Sequence, residues 1–310
     1  MEFSVEIPFA WLLDDQKLDE IAKQGVTAIC APYTFIESLP KETLRERAVA
    51  FAQRGLRVDT AHPNFGSYNQ PYSLVNQYKT ERGLYLEQLK DGMERMALLG
   101  ARVAPLHTGG CCVPGAPQWS FDLCAESVRS LVRTAEDTGV TLALENTFFS
   151  VPQRWHGGTN AEPLEYTTHQ YDDVATLCRL IDACESSMVQ GCFDAGHAHL
   201  YGDLTGDHEQ MMPRIALYHL HDNGGDKDSH VAPGYGGLRW DKLGPLVAAN
   251  EKASPYYIEA DPWMRGTHGL MIRQTRALLT GGRGEEDRRC IECAHMILTD
   301  AEGTFCGCAR

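Results

Sequence analysis

The sequence predicts a (β/α)8 barrel, and three observations carry that prediction. Short apolar, β-branched runs recur eight times. Stretches of helical period lie between them along almost the whole chain, which is the pattern of parallel strands joined by crossover helices. No G-x-G-x-x-G loop follows the first run, so a doubly wound dinucleotide-binding sheet is the weaker alternative.

The elements can be read in order. The first strand falls over FSVEIPF (3–9), and a helix over LDEIAKQG (18–25) closes on Gly25, a residue free to take the positive φ that ends a helix. VTAICAP (26–32) is followed by KETLRERAVAFAQRG (41–55), which stops at Gly55 in the same way. LRVDTAH (56–62) leads to YLEQLKDGMERMALLG (85–100), and ARVAPLH (101–107) leads to FDLCAESVRSLVRTAEDTG (121–139), closed by Gly139. VTLALEN (140–146) precedes DVATLCRLIDAC (173–184), and MVQGCFD (188–194), IALYHLH (215–221) and YYIEADP (256–262) complete the strands. The last helix is THGLMIRQTRALL (267–279). Beyond it, TGGRGEEDRR (280–289) is Gly-rich, charged and without apolar side chains, the composition of a linker. The expected organisation is a barrel domain over 1–280, a linker over 281–289 and a Cys-rich tail over 290–310.

Composition narrows the function. The 310 residues include 43% hydrophobic and 23% charged residues, which excludes disorder as the overall class. A formal charge of −14 repels a phosphate backbone, and no Lys/Arg run offsets it, so nucleic acid is not an expected partner. The opening MEFSVEIPFAWLLDD has no basic region before its apolar residues, and no stretch approaches the roughly 18 apolar residues of a membrane span. The odd count of 11 cysteines does not suit a secreted disulfide framework, and a cytoplasmic protein is expected.

The chemistry collects where the strands end, the face on which barrels of this kind carry their function. The third strand ends in His62, the fourth in His107, the fifth in Glu145, the sixth in Asp194, the seventh in His219 and His221, and the eighth in Glu259. Unpaired charges converging in one low-dielectric mouth cost several kcal/mol each, and a divalent cation neutralises them economically. Mixed imidazole and carboxylate donors suit Zn, Mn, Fe(II) or Co better than Ca. His219 and His221, two apart, share one face of their strand. Asp228 and His230 follow on a Gly-rich loop, two residues apart and able to clasp one ion, while His197 and His199 lie just beyond Asp194.

LALENT (142–147), FDAGHAHL (193–200), LYHLHDN (217–223) with DSH and GYG after it, and YIEADP (257–262) resemble the xylose-isomerase-like TIM-barrel superfamily of sugar isomerases and epimerases. The likeness covers residues 1 to about 280. It implies a shared metal held by Glu145, Asp194, His219 and Glu259, with the two glutamates flanking substrate as proton donor and acceptor. The ligands equally resemble abasic-site endonucleases of the endonuclease IV type, which use three zinc ions. That likeness implies one ion at His62, His107 and Glu145, a second at Glu145, Asp194, His219 and Glu259, and a third at His197, Asp228 and His230. One to three ions are therefore expected.

The expected activity is isomerisation or epimerisation of a sugar or sugar-like polyol, through a metal-stabilised enediolate with Glu145 and Glu259 as acid and base. Were those glutamates ligands only, His107 or His197 would be the next base. The competing readings are a multi-zinc phosphoesterase resembling abasic-site endonucleases and a non-catalytic, metal-loaded sugar-binding protein. The loops at 111–120, 148–173 and 262–269 offer only Arg154 and Arg265 as fixed cations, which favours a small polyhydroxylated ligand over DNA. Trp119, Trp155 and Trp263 could stack on a sugar ring or cap the rim. His221, Arg154 and Arg265 complete the expected substrate contacts, and His156 could bind an anionic group. A homo-oligomer is compatible with such a barrel.

In the tail, Cys290 and Cys293 are separated by 12 residues from Cys306 and Cys308, with DAEG as the turn of a hairpin between them. This resembles a small zinc ribbon with its second pair shortened to Cys-x-Cys, and a structural zinc is expected there. The other seven cysteines read as small core or loop residues, with adjacent Cys111 and Cys112 on a mouth loop.

Overall fold

The computed structural model describes residues 1–63, 73–108, 117–147, 173–201, 203–250, 255–260 and 268–282. Its strands are β1 (Phe3–Glu6), β2 (Ala28–Ala31), β3 (Arg57–Ala61), β4 (Val103–Leu106), β5 (Thr141–Glu145), β6 (Val189–Asp194), β7 (Ile215–Leu220) and β8 (Tyr256–Ile258). Each pairs in parallel with its neighbour in sequence, and β8 returns to β1 with Phe3 opposite Tyr256 and Val5 opposite Ile258. The expected (β/α)8 barrel is therefore closed, with all eight strands at the expected runs.

The helices are α1 (Phe9–Leu12), α2 (Asp15–Lys23), α3 (Tyr33–Ser38), α4 (Lys41–Ala52), α5 (Lys79–Leu99), α6 (Pro117–Thr138), α7 (Val174–Ala183), α8 (Ala195–Tyr201), α9 (Leu204–Met211), α10 (Trp240–Ala249) and α11 (His268–Leu279). Aspartates cap several of them: Asp14 accepts from the amides of Gln16 and Lys17, Asp173 from those of Ala175 and Thr176, and Asp203 from that of Gly206. Gly25, Gly55 and Gly139 follow helix ends with φ of +81°, +70° and +68°, as the sequence requires of them. Three helices begin earlier than periodicity indicates, α2 at Asp15, α5 at Lys79 and α6 at Pro117. Trp119, expected on a mouth loop, consequently lies in the first turn of α6 and is 44% exposed.

Strands covered on both faces should be largely apolar inside, and most of their positions are buried, with Arg57 at the start of β3 the exposed exception. The outer faces join the helices in one core containing Phe35, Phe51, Tyr85, Met93, Leu131, Leu177 and Leu243. Inside the barrel a separate cluster of Cys30, Val103, Ala143, Cys192, Leu217 and Tyr257 plugs the lumen. Among the described residues, no helix is long and apolar enough to cross a membrane.

Candidate metal centre and substrate cavity

The lumen plug fixes where the polar residues go. Side chains alternate along a strand, so the residue two positions after an inward-facing one also faces inward, one layer nearer the strand's end. Ala143 thus places Glu145, Cys192 places Asp194, Leu217 places His219, and Tyr257 places Glu259, all in the layer above the plug. Glu145, Asp194 and His219 are at most 1% exposed.

His219 is the hub of that layer. Its Nδ1 lies 2.9 Å from Glu259 Oε2, 3.5 Å from Glu145 Oε2 and 3.6 Å from Asp194 Oδ2. Glu145 continues to His107 at 3.4 Å through Oε2 and to His197 at 3.2 Å through Oε1. A second group lies beside it. His221 Nε2 is 3.0 Å from Asp194 Oδ1, His230 Nε2 is 2.7 Å from Asp228 Oδ2, and His197 Nε2 is 3.5 Å from the same oxygen. Sets of donor atoms within 4.8 Å of one another are formed by His197, His221, Asp228 and His230, by His62, His219 and Glu259, by His62, His107 and Glu145, and by Glu145, Asp194 and His197. All nine side chains expected to hold metal are therefore brought together, with His221 among them.

The local architecture explains the placement. Asp194 ends β6, and its Oδ1 accepts the His197 amide at 2.7 Å, so the same carboxylate caps α8. Asn146 brackets the Asp194 main chain from β5. Gly196 lets the His221 imidazole lie against α8, because a Cβ at that position would collide with the ring. Asp222, wholly buried, accepts from the amides of Asn223, Gly234 and Leu238 and from the Trp240 indole, and so folds the loop that carries Asp228 and His230. His230 takes a φ of 43°, uncommon for a non-glycine residue, and its ring stacks on that of His221 with centroids 4.0 Å apart.

Hydrogen bonds decide which ring nitrogens face the centre. Nδ1 of His197 donates to the Asn146 carbonyl at 2.8 Å, and Nδ1 of His230 to the Glu259 carbonyl at 3.0 Å. Both rings therefore present Nε2 inward, the way backbone carbonyls commonly orient metal-binding histidines. Burial works against charge on His230, but its bond to Asp228 and the nearby Glu259 lift it to about 10. Burial likewise opposes charge on His219, and Cys192, Glu259 and Glu145 raise it well above the ordinary value. Burial would raise the carboxyl of Glu145, yet His219 and His107 hold it well below the usual range; Glu259 is lowered mainly by His219 against the same burial. His62 differs, since burial pushes it down to about 4.

Besides the His219 Nδ1–Glu259 Oε2 contact, several buried polar atoms lack hydrogen-bond partners: Glu145 Oε2, His219 Nε2, His221 Nδ1 and Asp228 Oδ1. Orphaned buried polar atoms are costly, and here they converge. These imidazole and carboxylate donors have the chemistry to hold a divalent cation.

Beside the centre opens a cavity of about 380 Å³, lined among others by Glu6, Cys30, Tyr33, His62, Asp228, His230, Tyr257 and Glu259. Its size suits a small molecule, such sites spanning roughly 300–1,000 Å³. Trp119 is not among its walls. His199 Nδ1 donates to Asn223 Oδ1 at 2.8 Å, a contact within the loop scaffold. Arg154, Trp155, His156, Trp263, Arg265, Cys111, Cys112 and the tail cysteines Cys290, Cys293, Cys306 and Cys308 lie outside the described residues. Glu6, Tyr257, Asn146 and Asp222 were not anticipated, although Glu6 also stands at a strand end, where the rule that found the others applies.

Comparison with known proteins follows the geometry. The family described as xylose isomerase-like TIM barrel matches residues 18–266. Part of the chain is 36% identical, over 106 residues, to the uncharacterized protein y4fM of Sinorhizobium fredii; the match covers 31% of this chain and spans about a third, 34%, of that relative's length. The fold is similar to 3-keto-D-glucoside 4-epimerase, YcjR, from E. coli, with a TM-score of 0.68 at 17% identity over 89% of this chain and 99% of the other. It is also similar to a D-psicose 3-epimerase studied with D-fructose, with a TM-score of 0.67 at 15% identity over 91% of this chain and all (100%) of the other. Solved structures similar to this chain thus include sugar epimerases.

Proposed function

Because the chain belongs to the xylose isomerase-like TIM-barrel family, we propose that it is a divalent-metal-dependent isomerase or epimerase acting on a sugar or sugar-like polyol. The observation that carries this reading is the single imidazole nitrogen, Nδ1 of His219, set within 3.6 Å of carboxylate oxygens from three different strands. Glu145, Asp194, His219 and Glu259 would hold the cation, and His197, Asp228, His230 and His221 form a second set able to hold another. A bound cation would supply Lewis-acid stabilisation of the negative charge that develops on substrate oxygen.

The protein's own part is proton transfer and positioning. The proton to be removed sits on carbon next to a carbonyl, and a nearby carboxylate must accept it. Glu259 borders the cavity with its side chain 19% exposed, so it meets substrate from the β8 side. Glu145 approaches the same hub from β5 and is wholly buried, which keeps water from its oxygens. The carboxylate that accepts the proton can return it, as the acid, to the neighbouring carbon while the hydroxyl proton shifts to the other oxygen, which gives the isomer. The epimer requires the other glutamate to enter the step protonated, giving its own proton to the opposite face of the same carbon while the first keeps the one it took.

The test is a metal count on the full-length protein followed by solvent-deuterium incorporation into a panel of ketoses. Exchange at the carbon next to the carbonyl, abolished by Glu259→Gln, is expected. The second donor set is what a multi-metal hydrolase would use. Metal-dependent nicking of abasic duplex DNA without exchange into any sugar would overturn the isomerase in favour of that hydrolase.

A further inference from the structure

The floor of the centre carries a thiol. Cys192 belongs to the lumen plug, is wholly buried and forms no disulfide. Barrel strands are tilted and staggered, so a plug residue of one strand can stand beside a centre residue of the next. The register between β5 and β6 does this by setting Glu145 opposite Cys192, while that between β6 and β7 sets Asp194 opposite His219. Sγ of Cys192, an oxygen of Glu145 and a nitrogen of His219 consequently all lie within 4.8 Å of one another.

Two further observations separate this thiol from a small side chain that merely fills the lumen. The imidazole beside it, His219, is wholly buried, and its Nε2 has no hydrogen-bond partner. The set is also balanced in charge, since one thiolate and one carboxylate neutralise a divalent ion and the imidazole binds as a neutral ring. Three protein donors that leave a position open for substrate are the pattern of catalytic zinc sites. Sulfur is the soft member of the set, and a soft donor favours Zn(II) over Mn(II), which prefers oxygen.

Resting on the isomerase reading above, we propose that Cys192 binds the cation of the centre through Sγ, together with Glu145 and His219, and gives the site its preference for a thiophilic ion. The thiol proton leaves to solvent as the sulfur–metal bond forms. Glu259 is then not required as a ligand, and its carboxylate, which borders the cavity, serves the proton transfer.

X-ray absorption at the zinc edge tests this on chelator-treated, full-length protein loaded with one equivalent of Zn(II). The protein carries Cys290→Ser, Cys293→Ser, Cys306→Ser and Cys308→Ser, so that the tail contributes no sulfur. One sulfur at about 2.3 Å is expected beside nitrogen and oxygen at roughly 2.0–2.1 Å. It should vanish in Cys192→Ala, or in Cys192→Ser where the alanine variant does not fold, and persist in Cys111→Ser/Cys112→Ser made in the same background. In competition titrations, Cys192→Ala should lower the preference for Zn(II) over Mn(II) by about 10-fold or more. A zinc shell of nitrogen and oxygen alone, a sulfur that survives loss of Cys192, or an unchanged preference overturns the assignment and leaves the isomerase reading standing. A sulfur-bound ion without deuterium exchange into any ketose overturns the isomerase reading alone, and protein that binds no divalent ion overturns both.

Discussion

Asn146 and Asp194 are joined by two reciprocal hydrogen bonds, the Asn146 Nδ2 donating to the Asp194 carbonyl at 3.0 Å and the Asp194 amide donating to Asn146 Oδ1 at 2.7 Å. One side-chain amide therefore sets the height of a carboxylate that touches His219, His221 and His197. Asn146→Ala removes both bonds while leaving every donor to the centre in the sequence. Divalent-ion affinity should fall about 10- to 100-fold, with thermal stability lowered by roughly 1–3 kcal/mol. Metal titration of the variant checks this, and unchanged affinity would show that Asp194 is held by other means.

Filling the centre should stabilise the fold, since the partnerless oxygens and nitrogens around His219 gain a ligand that the unfolded chain lacks. At about 100 times the dissociation constant, the gain is about 2.7 kcal/mol by mass action. Scanning calorimetry of chelator-treated protein, before and after adding Mn(II), Co(II) or Zn(II), should show the melting temperature rise. Glu145→Gln should lose most of that increment. A melt indifferent to every ion would argue that the converging donors bind none.

Gly196→Ala tests the contact between α8 and His221. The added methyl would occupy the space of the imidazole, so the ring must swing away from Asp194 or the helix must shift. Overpacking of this kind costs about 1–3 kcal/mol. Urea unfolding should report that loss, and a variant as stable as wild type would mean that the ring has room to retreat.

His208, wholly buried and 2.7 Å from the Tyr218 hydroxyl, supplies a pH dependence remote from the centre. Burial depresses it from 6.5 to about 4. The unfolded chain therefore takes up a proton that the folded chain refuses, so the stability contributed by keeping this ring neutral is complete above pH 6.5 and is lost as the pH falls toward 4. The loss is on the order of 3 kcal/mol at most. In His208→Gln the slope over that window should flatten relative to wild type, as measured by denaturant unfolding at a series of pH values. Parallel pH profiles would assign the titration elsewhere.

The sequence made much of this architecture readable because two periodicities are strong in it. Strand alternation carries Glu145, Asp194, His219 and Glu259 to one layer without any knowledge of their partners. Other parts were not readable for physical reasons. The helices α1 and α3, at 4 and 6 residues, are too short to display a period, and α10 contains Pro245, which removes an amide that a helix interior would use. Glu6 was passed over because the first apolar run continues to Phe9 while the strand stops three residues earlier, hiding the true end. Asn146 and Asp194 are 48 positions apart, and Asp222 and Trp240 are 18 apart, so neither bracket leaves a local signature. The rim contacts expected of Arg154, Trp155, Trp263 and Arg265, and the tail, lie beyond the described residues.

Among the described residues, the apolar stopper formed by Cys30, Val103, Ala143, Cys192, Leu217 and Tyr257 closes the lumen directly beneath Glu145, Asp194 and His219. A cation held by those three would sit deeper than a sugar bound in the cavity beside Glu259. Under the proposed function, a saturating sugar should therefore trap the metal and slow its escape to a chelator.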